Sequence, residues 1–125
     1  MSQSRERWLT EMTEILGVDP EDVLEVAAMF FDAIDERLGA MKQAYEEGDI
    51  QELTRLIHGL KGDAANIGFK ETSSLARRLE SQCRDGAVED FAGQFEALQK
   101  AVAVQRHTIG LDDTEHGSSG GNAPL

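Results

Sequence analysis

From Trp8 to Val102 the apolar residues recur three and four apart, the spacing of helices with one face turned to a core. Trp8, Leu9, Met12, Ile15 and Leu16 share a face and predict a short helix from Arg5 to Leu16, ended by Gly17. Asp19-Pro20 is a start signal: Asp19 can cap, and Pro20 suits the first helical position, where its missing N–H costs nothing. The second helix runs to about Glu47 on a stripe of Val23, Val26, Ala27, Phe30, Ile34, Leu38 and Met41. Gly39 is its weak point, at about 1 kcal/mol against alanine. Gly48-Asp49 reads as a stop and a new cap, with Glu52 completing a D-x-x-E capping box.

The third helix carries Ile50, Leu53, Ile57, Leu60, Ala64 and Ile67 inward and ends at Gly68, with Phe69 folding back onto it. A fourth, about Lys70 to Arg84, turns Leu75, Leu79 and Cys83 inward and stops at Asp85-Gly86. A fifth, about Val88 to Thr108, uses Val88, Phe91, Phe95, Leu98 and Val102. No segment alternates with the period of a strand, and there is no internal repeat. Connections this short make successive helices antiparallel. The fold class is therefore all-α: an up-down antiparallel four-helix bundle of the second to fifth helices, with the short N-terminal helix as a cover.

Composition narrows the picture. The 125 residues fit one domain, 1–109, followed by a tail, 110–125, whose charge, Ser, Gly and Asn predict disorder. Aromatics at 6% suit a bundle filled by Leu, Ile, Val and Ala better than a sheet. A net charge of −12 disfavours nucleic acid and anionic lipid as partners and points to proteins. Cys83 is the single cysteine, so no intrachain disulfide forms. There is no signal core, and the longest apolar run, Val26 to Phe31, is too short to cross a bilayer, so no membrane insertion and a cytoplasmic location are expected.

Chemistry concentrates in the third helix. His58 points roughly 120° away from the centre of its apolar stripe and should be wet. Lys61 and Gly62 follow at three and four residues, so a cation and a bare patch of backbone lie one turn along from the imidazole. Gly62 stands mid-helix on an exposed face where alanine would be more stable, which implies a reason other than stability. Gly59 faces outward too, with no role assignable from sequence. If the third and fourth helices reverse around Gly68 and Phe69, His58 and Glu80 lie level. Glu80 could accept a hydrogen bond from Nδ1–H and leave Nε2 to attack; equally, it could be a solvated acid paired with Arg77 or Arg84. His107 and His116 lack Cys or closely spaced acidic ligands nearby, and the inward faces carry no E-x-x-H pairs, so no metal or cofactor is expected.

The run His58, Leu60, Lys61, Gly62 and Gly68, in the pattern H-x-L-K-G-x-x-x-x-x-G, with Gly48-Asp49 upstream and Leu79-Glu80 downstream, resembles the histidine-containing phosphotransfer (HPt) domains of two-component phosphorelays over roughly residues 18 to 108. One departure is Asp63, where the family more often has a small residue such as serine. The resemblance implies a phosphocarrier, not an enzyme, in which His58 accepts a phosphoryl group from a receiver aspartyl phosphate or a histidine kinase and passes it to a response-regulator receiver. Partner domains supply catalysis and magnesium. It implies further that Lys61 offsets phosphoryl charge, that Glu80 orients the imidazole, and that Gly62, with Thr54 and Ala65, receives the docking receiver. Two rivals are an adaptor bundle that binds receivers without exchanging phosphate, which the intact His58 and Lys61 oppose, and the phosphoacceptor domain of a chemotaxis-type kinase, for whose ATP-binding domain these 125 residues leave no room.

Overall fold

The computed structural model describes residues 4–111 and contains five helices and, among those residues, no strand: α1 (Arg5–Leu16), α2 (Pro20–Glu46), α3 (Ile50–Asn66), α4 (Lys70–Arg84) and α5 (Phe91–Thr108). Successive helices pack on one another, and α5 also meets α2: Tyr45 stacks on Phe91 at 4.0 Å between centroids, and the Arg106 guanidinium lies over Phe31 at 4.8 Å and pairs with Asp35 at 3.2 Å. The predicted tail lies, from residue 112 on, outside the described residues. Leu111 packs against the core as a partly buried residue.

The turns are built by local chemistry. At Gly48 (φ +74°) and Gly68 (φ +78°) the chain enters the left-handed region that a side chain disfavours, and in each case the next N–H reaches back into the helix just ended. Asp49 N donates to Ala44 O at 2.9 Å, and Phe69 N to Ala64 O at 2.8 Å. The capping box is only half formed. Asp49 accepts from Glu52 N at 3.1 Å, but the Glu52 carboxylate turns instead to Arg55. Asp19 occupies the N-cap of α2 without a side-chain bond, so its backbone and Pro20 define that start.

Phe69, at the α3–α4 turn, is the centre of the upper core. It stacks with Trp8 and Phe31 and meets Phe30 edge-on, at centroid distances between 5.2 and 5.6 Å. Trp8 Nε1 donates to Ile67 O at 2.6 Å, so α1 is tied to the end of the third helix.

Three details differ from the sequence pattern. In α2 the buried line runs Val23, Ala27, Phe31, Ile34, Leu38, Met41, Ala44, while Phe30 is only partly buried and Val26 exposed. Positions 26–27 and 30–31 are both apolar, so periodicity alone does not choose; both phenylalanines touch Phe69, and Phe31, which Arg106 of α5 also covers, is the one buried. Ile15 (72% exposed) and Leu16 extend beyond the region that Trp8 and Met12 anchor. Finally, α5 starts at Phe91, because Asp90 adopts φ +47° and its carboxylate accepts from Gly93 N, a local bond that competes with continuing the helix backward to Val88.

Candidate functional site

The hairpin of α3 and α4 creates the site. Ile57 and Leu60 are fully buried, which leaves the residue between their faces, His58, with its side chain 61% exposed. Thr54, Gly62 and Ala65 continue the same outward row at helical spacing, Ala65 exposed and Thr54 partly buried with its hydroxyl donating to Ile50 O at 2.7 Å.

Across the hairpin, α4 brings Glu80 level with His58. Its carboxylate is 5% exposed and is the meeting point of three side chains. His58 Nδ1 lies 2.7 Å from Oε2, Lys61 Nζ 2.7 Å from Oε1, and Arg84 Nη2 2.6 Å from Oε2, with Arg84 Nε at 3.2 Å. The bond from Lys61 above all, with those from Arg84 and His58, overcomes the burial that acts the other way and holds the Glu80 carboxyl down at about 2. At neutral pH Glu80 therefore carries no proton, so the hydrogen in the His58–Glu80 bond belongs to Nδ1. In the neutral imidazole that leaves Nε2 as the lone-pair nitrogen, and no group among the described residues bonds it.

Gly62 is exposed, and a Cβ built on it would meet nothing within 4 Å. Packing inside the molecule gives no reason for a glycine there.

An exposed imidazole bonded to a buried carboxylate, beside a cation and a bare helix surface, stands within the stretch that a family model matches. The family model of the Hpt domain matches residues 25–107. The chain belongs to the Hpt domain family. No curated protein and no solved structure matches it. As an Hpt domain it is a helical bundle of the phosphocarrier type used in two-component phosphorelays, rather than a catalyst.

Within this Hpt domain the sequence pattern set His58 level with Glu80 but left open whether the two bond, and it did not show the full set around the carboxylate. Arg84 was visible only as a rival partner of Glu80; in the structure both bonds exist together, because one carboxylate serves several donors. The Glu80–Arg84 spacing of four was the available signal. Lys61 is turned toward Glu80 rather than standing free beside the imidazole. Arg37 had no signal at all: it reaches from α2 to pair with Asp63 at 2.9 Å, so the acidic departure at position 63 is matched by a cation. Cys83 is buried near Thr54, and that burial pushes its thiol up, the opposite of an activated nucleophile. Among the described residues no group of three or more His, Cys, Asp and Glu is placed to hold a metal, and no helix is long and apolar enough to cross a membrane.

Proposed function

We propose that this chain is a cytoplasmic phosphocarrier in which His58 Nε2 takes a phosphoryl group from the aspartyl phosphate of a receiver domain, or from a histidine kinase, and delivers it to a receiver aspartate. The observation that carries this reading is the 2.7 Å bond between His58 Nδ1 and the buried, ionised Glu80. In the forward step the Nε2 lone pair forms the P–N bond while the bond from phosphorus to the donor oxygen breaks, returning the electron pair to the donor's carboxylate or phosphate. The imidazole gains positive charge, and Glu80 opposite Nδ1–H stabilises it. In the reverse step a receiver carboxylate oxygen attacks phosphorus and the P–N bond breaks, its electrons returning to Nε2. Magnesium belongs to the receiver.

Lys61 is the residue free to follow the charge. When three anionic oxygens arrive at Nε2, Lys61 can leave Glu80 for them, and Arg84 still neutralises Glu80 and keeps it in place. Gly62, with Thr54 and Ala65, forms the face on which the receiver seats. The bundle that presents this face is read as up-down and antiparallel: in the Tyr45–Phe91 and Asp35–Arg106 contacts the later residue of α2 meets the earlier residue of α5, and the His58–Glu80 and Lys61–Ser73 contacts show the same reversed order for α3 and α4.

The test is phosphorylation by phosphoramidate or by a phosphorylated receiver. Wild type should acquire an acid-labile, base-stable phosphate that His58→Gln, still folded, does not. Equal labelling of the two proteins contradicts the proposal.

A further inference from the structure

Gly59 takes no part in the chemistry above, yet it stands mid-helix next to the phosphoacceptor, where alanine would favour the helix. Its neighbour explains it. A Cβ on Gly59 would lie 2.8 Å from Arg37 Nη1 and 3.1 Å from Arg37 Cζ, closer than ordinary contact allows. The bare backbone at Gly59 is therefore the seat of a guanidinium that reaches across from α2, and Asp63, one turn along, holds it through Oδ2 at 2.9 Å. The positions of Gly59 and Asp63 are about 100° and 140° round the helix from His58, and Lys61 with Glu80 and Arg84 occupies the opposite flank. Cations thus bracket the imidazole on both sides.

The two flanks differ in how firmly they are held. Glu80 is buried, whereas Asp63 is 51% exposed and Arg37 27% exposed. A pair so open to water is weakly bound and readily exchanged. Of the five N–H donors on the guanidinium, one has a protein acceptor among the described residues.

We propose that Arg37 is a specificity-determining contact for the receiver domain. Seated on Gly59 and held by Asp63 in the free protein, it exchanges Asp63 for a carboxylate at the rim of the receiver's phosphoacceptor pocket. This rests on the phosphocarrier reading. A domain that accepts phosphate on an aspartate and binds a divalent cation presents clustered carboxylates. On a chain with 24 acidic and 12 basic residues, the face with Arg37, Lys61 and Arg84 is where such a pocket meets cations. Asp63 makes the contact selective, because a receiver with no carboxylate at that point leaves Arg37 where it is, and one with a cation there is repelled by Arg37.

The experiment loads the full chain with phosphoramidate and follows transfer, per phosphorylated molecule, to the receiver domain that wild type serves fastest in a purified panel. Arg37→Gln should raise KM about fivefold with kcat within about twofold, and flatten the dependence of KM on salt, the behaviour of a rim charge. Gly59→Ala leaves every charge in place but makes the flexible guanidinium shift off its seat, and should raise KM by a smaller factor, about twofold, while circular dichroism keeps its helical signal. An unchanged KM for Arg37→Gln, or a wild-type KM for Gly59→Ala, overturns the inference. Failure of wild type to serve any receiver overturns the phosphocarrier reading itself, a result distinct from either.

Discussion

Replacing Glu80 with alanine removes the acceptor for His58 Nδ1–H and leaves Lys61 and Arg84 without their shared anion. The imidazole should then populate both neutral tautomers, visible in its nitrogen NMR spectrum, and phosphorylation should slow because Nε2 is no longer held as the free lone pair. An unchanged spectrum would mean that Glu80 does not select the tautomer. Lys61→Ala separates a different step: transfer should fall about tenfold, roughly 1.4 kcal/mol of transition-state stabilisation. Stability should drop by only about 1 kcal/mol, since Arg84 and His58 still satisfy Glu80. A wild-type transfer rate would leave Lys61 as a structural partner of Glu80 alone. At this scale the sequence carried the His58–Glu80 register, because counting outward from a turn needs no side-chain detail. It carried neither the convergence of Lys61 and Arg84 on one carboxylate nor the Arg37–Asp63 pair, since both depend on how far long side chains lean across a helix boundary.

The row Thr54, His58, Gly62 and Ala65 lies along the outward side of α3, and on the proposed reading Gly62 is the position where folding and docking separate. Gly62→Ala meets empty space and should stabilise the helix by up to about 1 kcal/mol in thermal or denaturant unfolding. Gly62→Gln should also fold, and phosphoramidate should still label His58, but exchange with a receiver domain should fall at least about tenfold because the added side chain stands where the partner closes. If Gly62→Gln unfolds the domain while transfer per folded molecule stays normal, the docking face lies elsewhere. Helix ends were readable because a glycine or a cap is a single residue whose backbone preference speaks for itself, as at Gly17, Gly48 and Gly68. The rotation of α2 was not readable, because Val26-Ala27 and Phe30-Phe31 offer two adjacent apolar lines and only tertiary packing, which buries Phe31 beneath Arg106, decides between them. The start of α5 was missed because Asp90 bonds to its own neighbouring backbone.

For the whole molecule, the buried Glu80 network links stability to pH. Its folded carboxyl lies at about 2 against an ordinary 4.5, so the native state is the weaker proton binder. The stabilisation is complete above about pH 4.5 and is lost as pH falls toward about 2. Unfolding free energy measured across that window should decline in wild type and decline less steeply in Glu80→Gln; parallel curves would mean that Glu80 contributes nothing to the acid transition. All of this serves one geometric claim, that the fold presents His58 with Nδ1 tied down and Nε2 open to solvent. The most direct check is phosphorus and nitrogen NMR on the phosphorylated full chain. The account predicts a single phosphohistidine, on Nε2 of His58, with Nδ1 still protonated opposite Glu80. Phosphate on Nδ1, or at any residue other than His58, would contradict it.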